Sequence, residues 1–189
     1  MDRELERQLI EKAKENAAAF EELYSHYLPK IYGFLLNRIG QKELAEDLTS
    51  EVFAKALANI SKFNDRGVPF AAWLFRIARN TLIDYTRKKK EILTDAVESF
   101  EPEPDHAEAG AVAGLMHDEK KLFIRKTMKN LPEKYQTVLS LKFFEELNND
   151  EIAEIIGCQK NAVAVRVHRA LRLMKKHLVG NPEFLEINL

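Results

Sequence analysis

The sequence predicts an all-α protein with two small helical domains joined by a flexible acidic linker. Apolar residues recur at helical spacing along most of the 189 residues, and no alternating segment is long enough to predict a sheet. Between the two helical parts, residues 94–110 contain six acids, two prolines and no Lys or Arg, a composition that does not build a core. The predicted boundaries are 1–90, 91–114 and 115–189.

The N-terminal domain is predicted to contain four helices. The first covers residues 2–15, and the second runs from a cap at Asn16 to Gly40. Because Pro29 removes a hydrogen-bond donor inside the second helix, we expect a kink or a break near Leu28. Apolar residues four apart then indicate a helix over residues 42–60, and a loop at 61–69 leads to a helix over residues 70–90.

The C-terminal domain is predicted to end in a helix-turn-helix. Helices at 115–131 and 133–145 precede it, separated by Pro132. Asn148 and Glu151 have the spacing of a capping box, and Gly157 permits the sharp turn between the last two helices. The predicted buried residues of these two helices are Ile152, Ala153, Ile156, Val163, Val167, Leu171 and Met174.

Positive charge is concentrated in two segments of a chain whose net charge is only −1. Residues 159–178 contain six Lys or Arg and no acid, and residues 70–90 contain six with a single acid, Asp84. A helix with an apolar back and a cationic front suits the DNA major groove. The helix-turn-helix therefore indicates binding to duplex DNA.

The helix at 70–90 combines cations with aromatic residues. Cations follow phosphates, aromatic rings stack on bases, and Asn or Asp side chains bond base edges, so this mixture suits unpaired nucleotides. Trp73 and Phe75 have an alternative interpretation, since aromatic residues at helical spacing are commonly core residues.

Composition and motifs exclude several classes of protein. No apolar run reaches the length of a membrane span, and the charged N-terminus is unlike a secretory signal, so we expect a cytoplasmic protein without membrane insertion. Cys158 is the single cysteine, which excludes an internal disulfide and a cysteine-based zinc site. With no phosphate-binding loop, HExxH motif or nucleophile signature, we expect neither an enzyme nor a cofactor.

Three separated segments together resemble bacterial sigma factors of the sigma-70 family, in the compact form of the extracytoplasmic-function (ECF) group. They are, in order, AEDLTSEVFAKAL, FAAWLFRIARNTLIDYTRKK and LPEKYQTVLSLKFFEELNNDEIAEIIGCQKNAVAVRVHRAL. The resemblance covers nearly the whole chain, from about Phe20 to Leu173. It implies a protein that binds core RNA polymerase, recognises and melts the −10 promoter element, and reads the −35 element.

The resemblance also implies roles for particular residues. The β′ clamp of polymerase would be bound by Asp47, Leu48, Ser50, Glu51 and Lys55. The −10 element would be bound by Phe63, Asn64, Asp65, Arg66, Arg76, Arg79, Asn80, Asp84, Arg87 and Lys88. The −35 element would be read by Gln159, Lys160, Asn161, Ala162, Val165, Arg166 and Arg169, with Arg166 the leading candidate for a base contact.

The implied partners are core polymerase, through its β′ clamp and its β flap, promoter DNA in duplex and melted form, and an anti-sigma factor. Many members carry serine near Gln159, lysine in place of Ala164 and serine in place of Val165, so the usual −35 sequence does not follow from the resemblance. The alternative is a stand-alone helix-turn-helix regulator of duplex DNA, which leaves the cationic helix at 70–90 without a role.

Overall fold

The computed structural model describes residues 2–64, 68–95 and 123–179, which fall into two helical units. The sequence prediction of an all-α fold is confirmed, and the described ranges contain no strand. The helices of the first unit are α1 (Arg3–Glu15), α2 (Phe20–Ile39), α3 (Lys42–Asn59) and α4 (Phe70–Asp95). Those of the second are α5 (residues 123–129), α6 (Glu133–Leu139), α7 (Asn149–Ile156) and α8 (Lys160–Val179).

The core of the first unit forms where α2, α3 and α4 pack on one another. Its fully buried apolar side chains include Leu23, Ile31, Leu35, Val52, Ala56, Leu74 and Ala78. Of the kink or break predicted near Leu28, the break is wrong, because α2 continues through Pro29. The helix ends as predicted at Gly40, whose φ of 82° lies in the left-handed region that glycine adopts without steric cost.

Helix α1 packs on α2 more firmly than its charged sequence suggests. Leu9, Ile10 and Ala13 are buried. The hydroxyl of Tyr27 in α2 donates a hydrogen bond to Glu6 of α1. The helix also contacts the 3₁₀ turn that follows α3, so it belongs to the core of this unit.

Helix α4 is longer than the sequence predicted. It continues to Asp95, five residues beyond the predicted end of the helix at residue 90 and therefore into the predicted linker. The remainder of the predicted linker, 96–114, lies outside the described residues, as do residues 115–122 of the helix predicted next. The helix predicted at 133–145 is α-helical only to Leu139 and continues as a π-helical turn, Ser140–Phe144.

In the second unit, α8 packs against α6 and α7. The buried side of α7 comprises Ile152, Ala153 and Ile155. The sequence predicted Ile156 in place of Ile155, and this is wrong, because Ile156 is only half-buried. No helix in the described ranges combines the length and the apolar character that a membrane crossing requires.

Candidate nucleic-acid interfaces

Both ends of α7, the first helix of the helix-turn-helix, carry the capping features that the sequence predicted. The side-chain oxygen of Asn148 accepts hydrogen bonds from the backbone amides of Asp150 at 2.9 Å and Glu151 at 3.0 Å. The Glu151 carboxylate accepts one in return from the backbone amide of Asn148 at 2.8 Å. This capping box satisfies donors that a helix N-terminus otherwise leaves open. At the other end of α7, Gly157 has a φ of 66° and its amide donates to the carbonyl of Ala153.

Helix α8 buries one face in the second unit. Val163, Ala170 and Met174 are buried on it. The predicted apolar stripe is partly wrong: Leu171 is 43% exposed, and Ala170 occupies the buried position instead. Val167 is half-buried. The stripe is therefore rotated slightly from the one that the largest apolar residues suggested, and this rotation decides which residues face outward.

The outward face of α8 can be located from the buried one. Successive residues of an α-helix are separated by about 100°, so Val165 lies about 200° round the axis from buried Val163. Its neighbours on the same side, Asn161, Arg169 and Arg172, are exposed. The outward face thus carries an amide, two guanidinium groups and a valine.

The remaining predicted −35 residues lie at the edge or at the start of α8. Arg166 and Ala162 are half-buried on its flank, while Gln159 and Lys160 are exposed at its beginning. The ammonium group of Lys160 lies 2.6 Å from the carboxylate of Asp150 in α7. The sequence did not reveal this pair, because its two residues are ten positions apart and no helical spacing relates them.

The outer surface of α3 carries exposed acids. Asp47, Ser50 and Glu51 are exposed, in agreement with a role in binding a partner. Leu48, predicted to bind the β′ clamp, is only 5% exposed and belongs to the core of the unit. Its contribution is to hold α3 in place, because its side chain faces the other helices.

The side chain of Lys55 in α3 reaches α4. Its ammonium group is 2.6 Å from the Glu51 carboxylate and donates to the hydroxyl of Thr81 in α4 at 3.1 Å. Thr81 is itself only 2% exposed. Sequence analysis did not select Thr81, although a hydroxyl on the buried face of α4 is a signal that a polar partner is nearby.

The predicted −10 residues on α4 lie on its accessible surface. Arg76, Arg79 and Asp84 are half-buried, whereas Asn80, Arg87 and Lys88 are exposed. The guanidinium of Arg79 donates to the side-chain oxygen of Asn80 at 3.3 Å, and that of Arg87 lies 3.5 Å from the carboxylate of Asp84. Residues 70–89 of the helix therefore present a positive surface, and the one acid among them, Asp84, is paired to a neighbouring cation.

The aromatic residues before and at the start of α4 form a packed cluster. The ring centroids of Phe63, Phe70 and Trp73 are 5.1–5.4 Å apart. Phe63 is only 5% exposed, so the prediction that this ring contacts DNA directly is wrong: it packs on Phe70 and Trp73 instead. Asn64 is exposed, and Asp65 and Arg66, also predicted to bind DNA, lie outside the described residues.

Chemistry-bearing side chains do not converge on a catalytic or metal-binding centre in the described ranges. Within 2–64, 68–95 and 123–179, no three His, Cys, Asp or Glu residues are arranged to hold a metal ion. The surfaces described above instead offer cations, amides and carboxylates spread over helix faces, an arrangement suited to binding extended partners.

A capped helix-turn-helix with a cationic outward face, in a chain with a second cationic helix, defines a DNA-binding protein. The family model for Sigma-70 region 2 matches residues 23–92, and that for Sigma-70 region 4 matches residues 124–174. The ECF RNA polymerase sigma factor SigW of Bacillus subtilis is 33% identical over 185 residues, which cover 94% of this chain and 98% of SigW. The chain therefore belongs to the sigma-70 family, in the ECF group.

Two solved structures share the fold. The structure of CnrH in complex with the cytosolic domain of CnrY aligns with a TM-score of 0.69 at 20% identity, covering 93% of this chain and 97% of CnrH. RpoE in complex with the anti-sigma factor NepR from Bartonella quintana aligns with a TM-score of 0.65 at 23% identity, covering 86% and 98%. Family membership assigns the chain to promoter-specific transcription initiation with RNA polymerase, in a family whose members are generally regulators rather than enzymes.

Proposed function

We propose that this chain binds core RNA polymerase through α3 and positions α4 and α8 on the two elements of a promoter. Residues 1–90 would bind polymerase and recognise and melt the −10 element, residues 91–114 would connect, and residues 115–189 would read the −35 element. The observation that carries the proposal is that one chain has three separate charged helix surfaces: an acidic one on α3 and positive ones on α4 and α8.

The acidic surface of α3 supports docking on polymerase. Asp47 and Glu51 are one helical turn apart and exposed, so a cationic partner can approach both carboxylates at once. The contact between Lys55 and Glu51 restrains one of these carboxylates at 2.6 Å. A carboxylate held in place loses less side-chain entropy on binding than a mobile one.

The positive surface of α4 supports binding of the −10 element. Arg87 and Lys88 are exposed in the C-terminal half of α4 and suit phosphate contacts, which give affinity without sequence information. Asn80 is exposed about two turns earlier and offers both a donor and an acceptor to a base edge. Unstacking a base costs a few kcal/mol, so contacts of both kinds are needed to hold the melted strand.

The outward face of α8 supports reading of the −35 element. Asn161, Val165 and Arg169 are exposed on one side of the helix in its N-terminal half, the part that contacts base edges in helix-turn-helix proteins. Arg166 lies on the flank, from which a long side chain can still reach a guanine edge or a phosphate. The β flap of polymerase is the second proposed partner of this unit.

Control by an anti-sigma factor is part of the proposal. RpoE from Bartonella quintana, which shares this fold, is held by the anti-sigma factor NepR in its solved structure. A partner that covers the acidic surface of α3 or the positive surface of α8 would prevent initiation. We further propose that the chain acts in the cytoplasm, where polymerase is found, and has no catalytic activity or cofactor of its own.

The test is run-off transcription by purified core polymerase on a pool of genomic promoter fragments, with and without the protein. Discrete transcripts that require the protein are expected, and their upstream sequences will define both promoter elements. If no such transcripts form and the protein does not co-elute with core, then a stand-alone regulator of duplex DNA is the better description. Specific binding of the free protein to a duplex operator would then identify it.

A further inference from the structure

Val165 is an exposed apolar residue at the centre of the outward face of α8. Its side chain is 48% exposed, and it lies about 200° round the helix axis from Val163, which is fully buried. Val165 therefore lies on the side of α8 opposite the one that packs on the rest of the unit. The face around it is polar. Asn161 and Arg169 lie one turn to either side of Val165, Arg172 lies two turns from Val165 along the helix, and all three are exposed.

A valine at this position does not stabilise the helix. Branching at Cβ restricts the side chain in a helix and lowers its helix propensity relative to alanine or lysine. A single apolar residue among cations is also too small a patch to bind another protein. Val165 and its neighbours instead suit a partner whose surface has one apolar group among charged and hydrogen-bonding groups.

The DNA major groove is such a surface. Its base edges display hydrogen-bond donors and acceptors, and the C5-methyl group of thymine is the apolar group among them. An exposed isopropyl group on a helix in this groove finds its complement in that methyl. Asn161, one turn away on the same face, carries the amide that pairs with the adenine edge, so both halves of an A·T-containing step can be recognised.

We infer that Val165 is a specificity-determining residue that receives a thymine C5-methyl group in the −35 element. The inference rests on the proposed function, because it requires α8 to lie in the major groove at that element. It implies that the −35 element of promoters served by this chain contains an A·T pair opposite Val165, and that this pair is distinguished by its methyl group as well as by hydrogen bonds.

The experiment removes the methyl group alone. In a promoter obtained from the transcription pool, each thymine of the −35 element, on either strand, is replaced by deoxyuridine, and binding and run-off transcription by the holoenzyme are measured. At one thymine we expect a loss of about fourfold, the factor that burial of one methyl-sized apolar group contributes. Deoxyuridine in the spacer between the two elements is the matched DNA control and is expected to change nothing.

Protein variants then assign the effect. With Val165→Ala the deoxyuridine and thymine promoters should be bound equally, because the group that receives the methyl is gone. Leu171→Ala, a truncation of another exposed apolar residue on the same helix, should keep the fourfold difference. The alanine at 165 is not expected to destabilise α8, since alanine has the higher helix propensity, so a loss of discrimination is not due to unfolding.

Three results would overturn the inference alone: no sensitivity to deoxyuridine at any position, a −35 element without an A·T pair, or a sensitivity that persists unchanged in Val165→Ala. In each, transcription from the unmodified promoter still depends on the protein. If no protein-dependent transcript forms on any unmodified promoter, the proposed function is wrong and the inference is overturned with it.

Discussion

The ammonium group of Lys55 donates a hydrogen bond to the hydroxyl of Thr81, 26 residues away, at 3.1 Å. Thr81 lies on the buried side of α4 and Lys55 at the edge of the polymerase-binding surface proposed on α3. The same ammonium group is 2.6 Å from Glu51. One side chain thus links a buried hydroxyl to an exposed carboxylate, and so connects the packing of two helices to the position of a docking residue.

Replacement of Thr81 by valine removes the acceptor while keeping the shape of the side chain. We expect Thr81→Val to lower the free energy of unfolding of the first unit by about 0.5–1 kcal/mol, since a hydrogen bond to a partly exposed ammonium contributes little more. The free energy of unfolding is measured by urea titration with tryptophan fluorescence as the signal, because Trp73 is the single tryptophan of the chain and lies in this unit.

A double-mutant cycle with Lys55→Met separates the bond from other effects. If the two side chains interact, the double variant should be less destabilised than the two single variants added together. Ser50→Ala is the control, because the hydroxyl of Ser50 donates its hydrogen bond within its own helix, to the carbonyl of Glu46 at 3.0 Å. Strict additivity in the cycle would show that the Lys55–Thr81 contact carries no energy.

Charge reversal on α3 tests the docking surface. Because Asp47 and Glu51 are exposed, the double substitution Asp47→Lys and Glu51→Lys should leave the fold intact. It should also weaken binding to core polymerase by at least about tenfold through repulsion from a cationic partner. Affinity is measured by fluorescence anisotropy with labelled protein, and unfolding is monitored in parallel.

The control for this reversal is Glu15→Lys. Glu15 is exposed at the last turn of α1, where a cation is favourable for the helix dipole, and it lies outside α3. Its variant should bind polymerase like the unchanged chain. Unaltered affinity in the Asp47 and Glu51 variant would remove the docking assignment.

Arginines on α8 are expected to divide into base-reading and phosphate-binding residues. Arg166→Ala should reduce transcription from promoters that depend on the −35 element by an amount corresponding to about 1–3 kcal/mol, the value of a bidentate arginine–guanine contact. Arg172→Ala, an exposed arginine further along the helix, should weaken all DNA binding equally and reduce the slope of affinity against salt by about one.

Binding to specific and random duplexes over a range of salt concentrations distinguishes a base-reading arginine from a phosphate-binding one. An equal loss on every sequence for Arg166→Ala would make it a phosphate contact. Since Arg166 is half-buried on the flank of α8 while Arg169 faces outward, the same measurement on Arg169→Ala shows which of the two reads a base.

Local features of the fold could be predicted because their causes are local. The capping box of Asn148 and Glu151, and the left-handed glycine at 157, depend on residues three and four positions apart and are visible in the sequence. The rotation of the α8 stripe was not. Ala170 is buried and Leu171 exposed on a helix that packs against α6 and α7. This tertiary packing sets which face of α8 is buried, whereas helical spacing and residue size alone favoured Leu171.

The candidate site also has features with local causes, which the sequence predicts, and features that depend on tertiary packing, which it does not. Clusters of like charge predicted the surfaces of α3, α4 and α8, since charge is exposed almost wherever it occurs. Phe63 and Leu48 were assigned to partners, but the structure buries both, because an apolar residue beside a binding surface has the same sequence signature as one beneath it. The pairs Lys55–Thr81 and Lys160–Asp150 join separate helices, and no sequence spacing reveals such contacts.

The capping box gives a prediction about stability that is confined to the second unit. Asn148→Ala removes the oxygen that accepts hydrogen bonds from two amides of α7, which should lower the free energy of unfolding by about 1 kcal/mol. The loss should be seen in the circular dichroism transition and not in Trp73 fluorescence, because the tryptophan reports on the other unit. Asn149→Ala, the same substitution one residue further on, should have little effect, since alanine is the better residue inside a helix. A parallel loss in both variants would mean that the cap contributes nothing, and a shift in Trp73 fluorescence would mean that the two units unfold together.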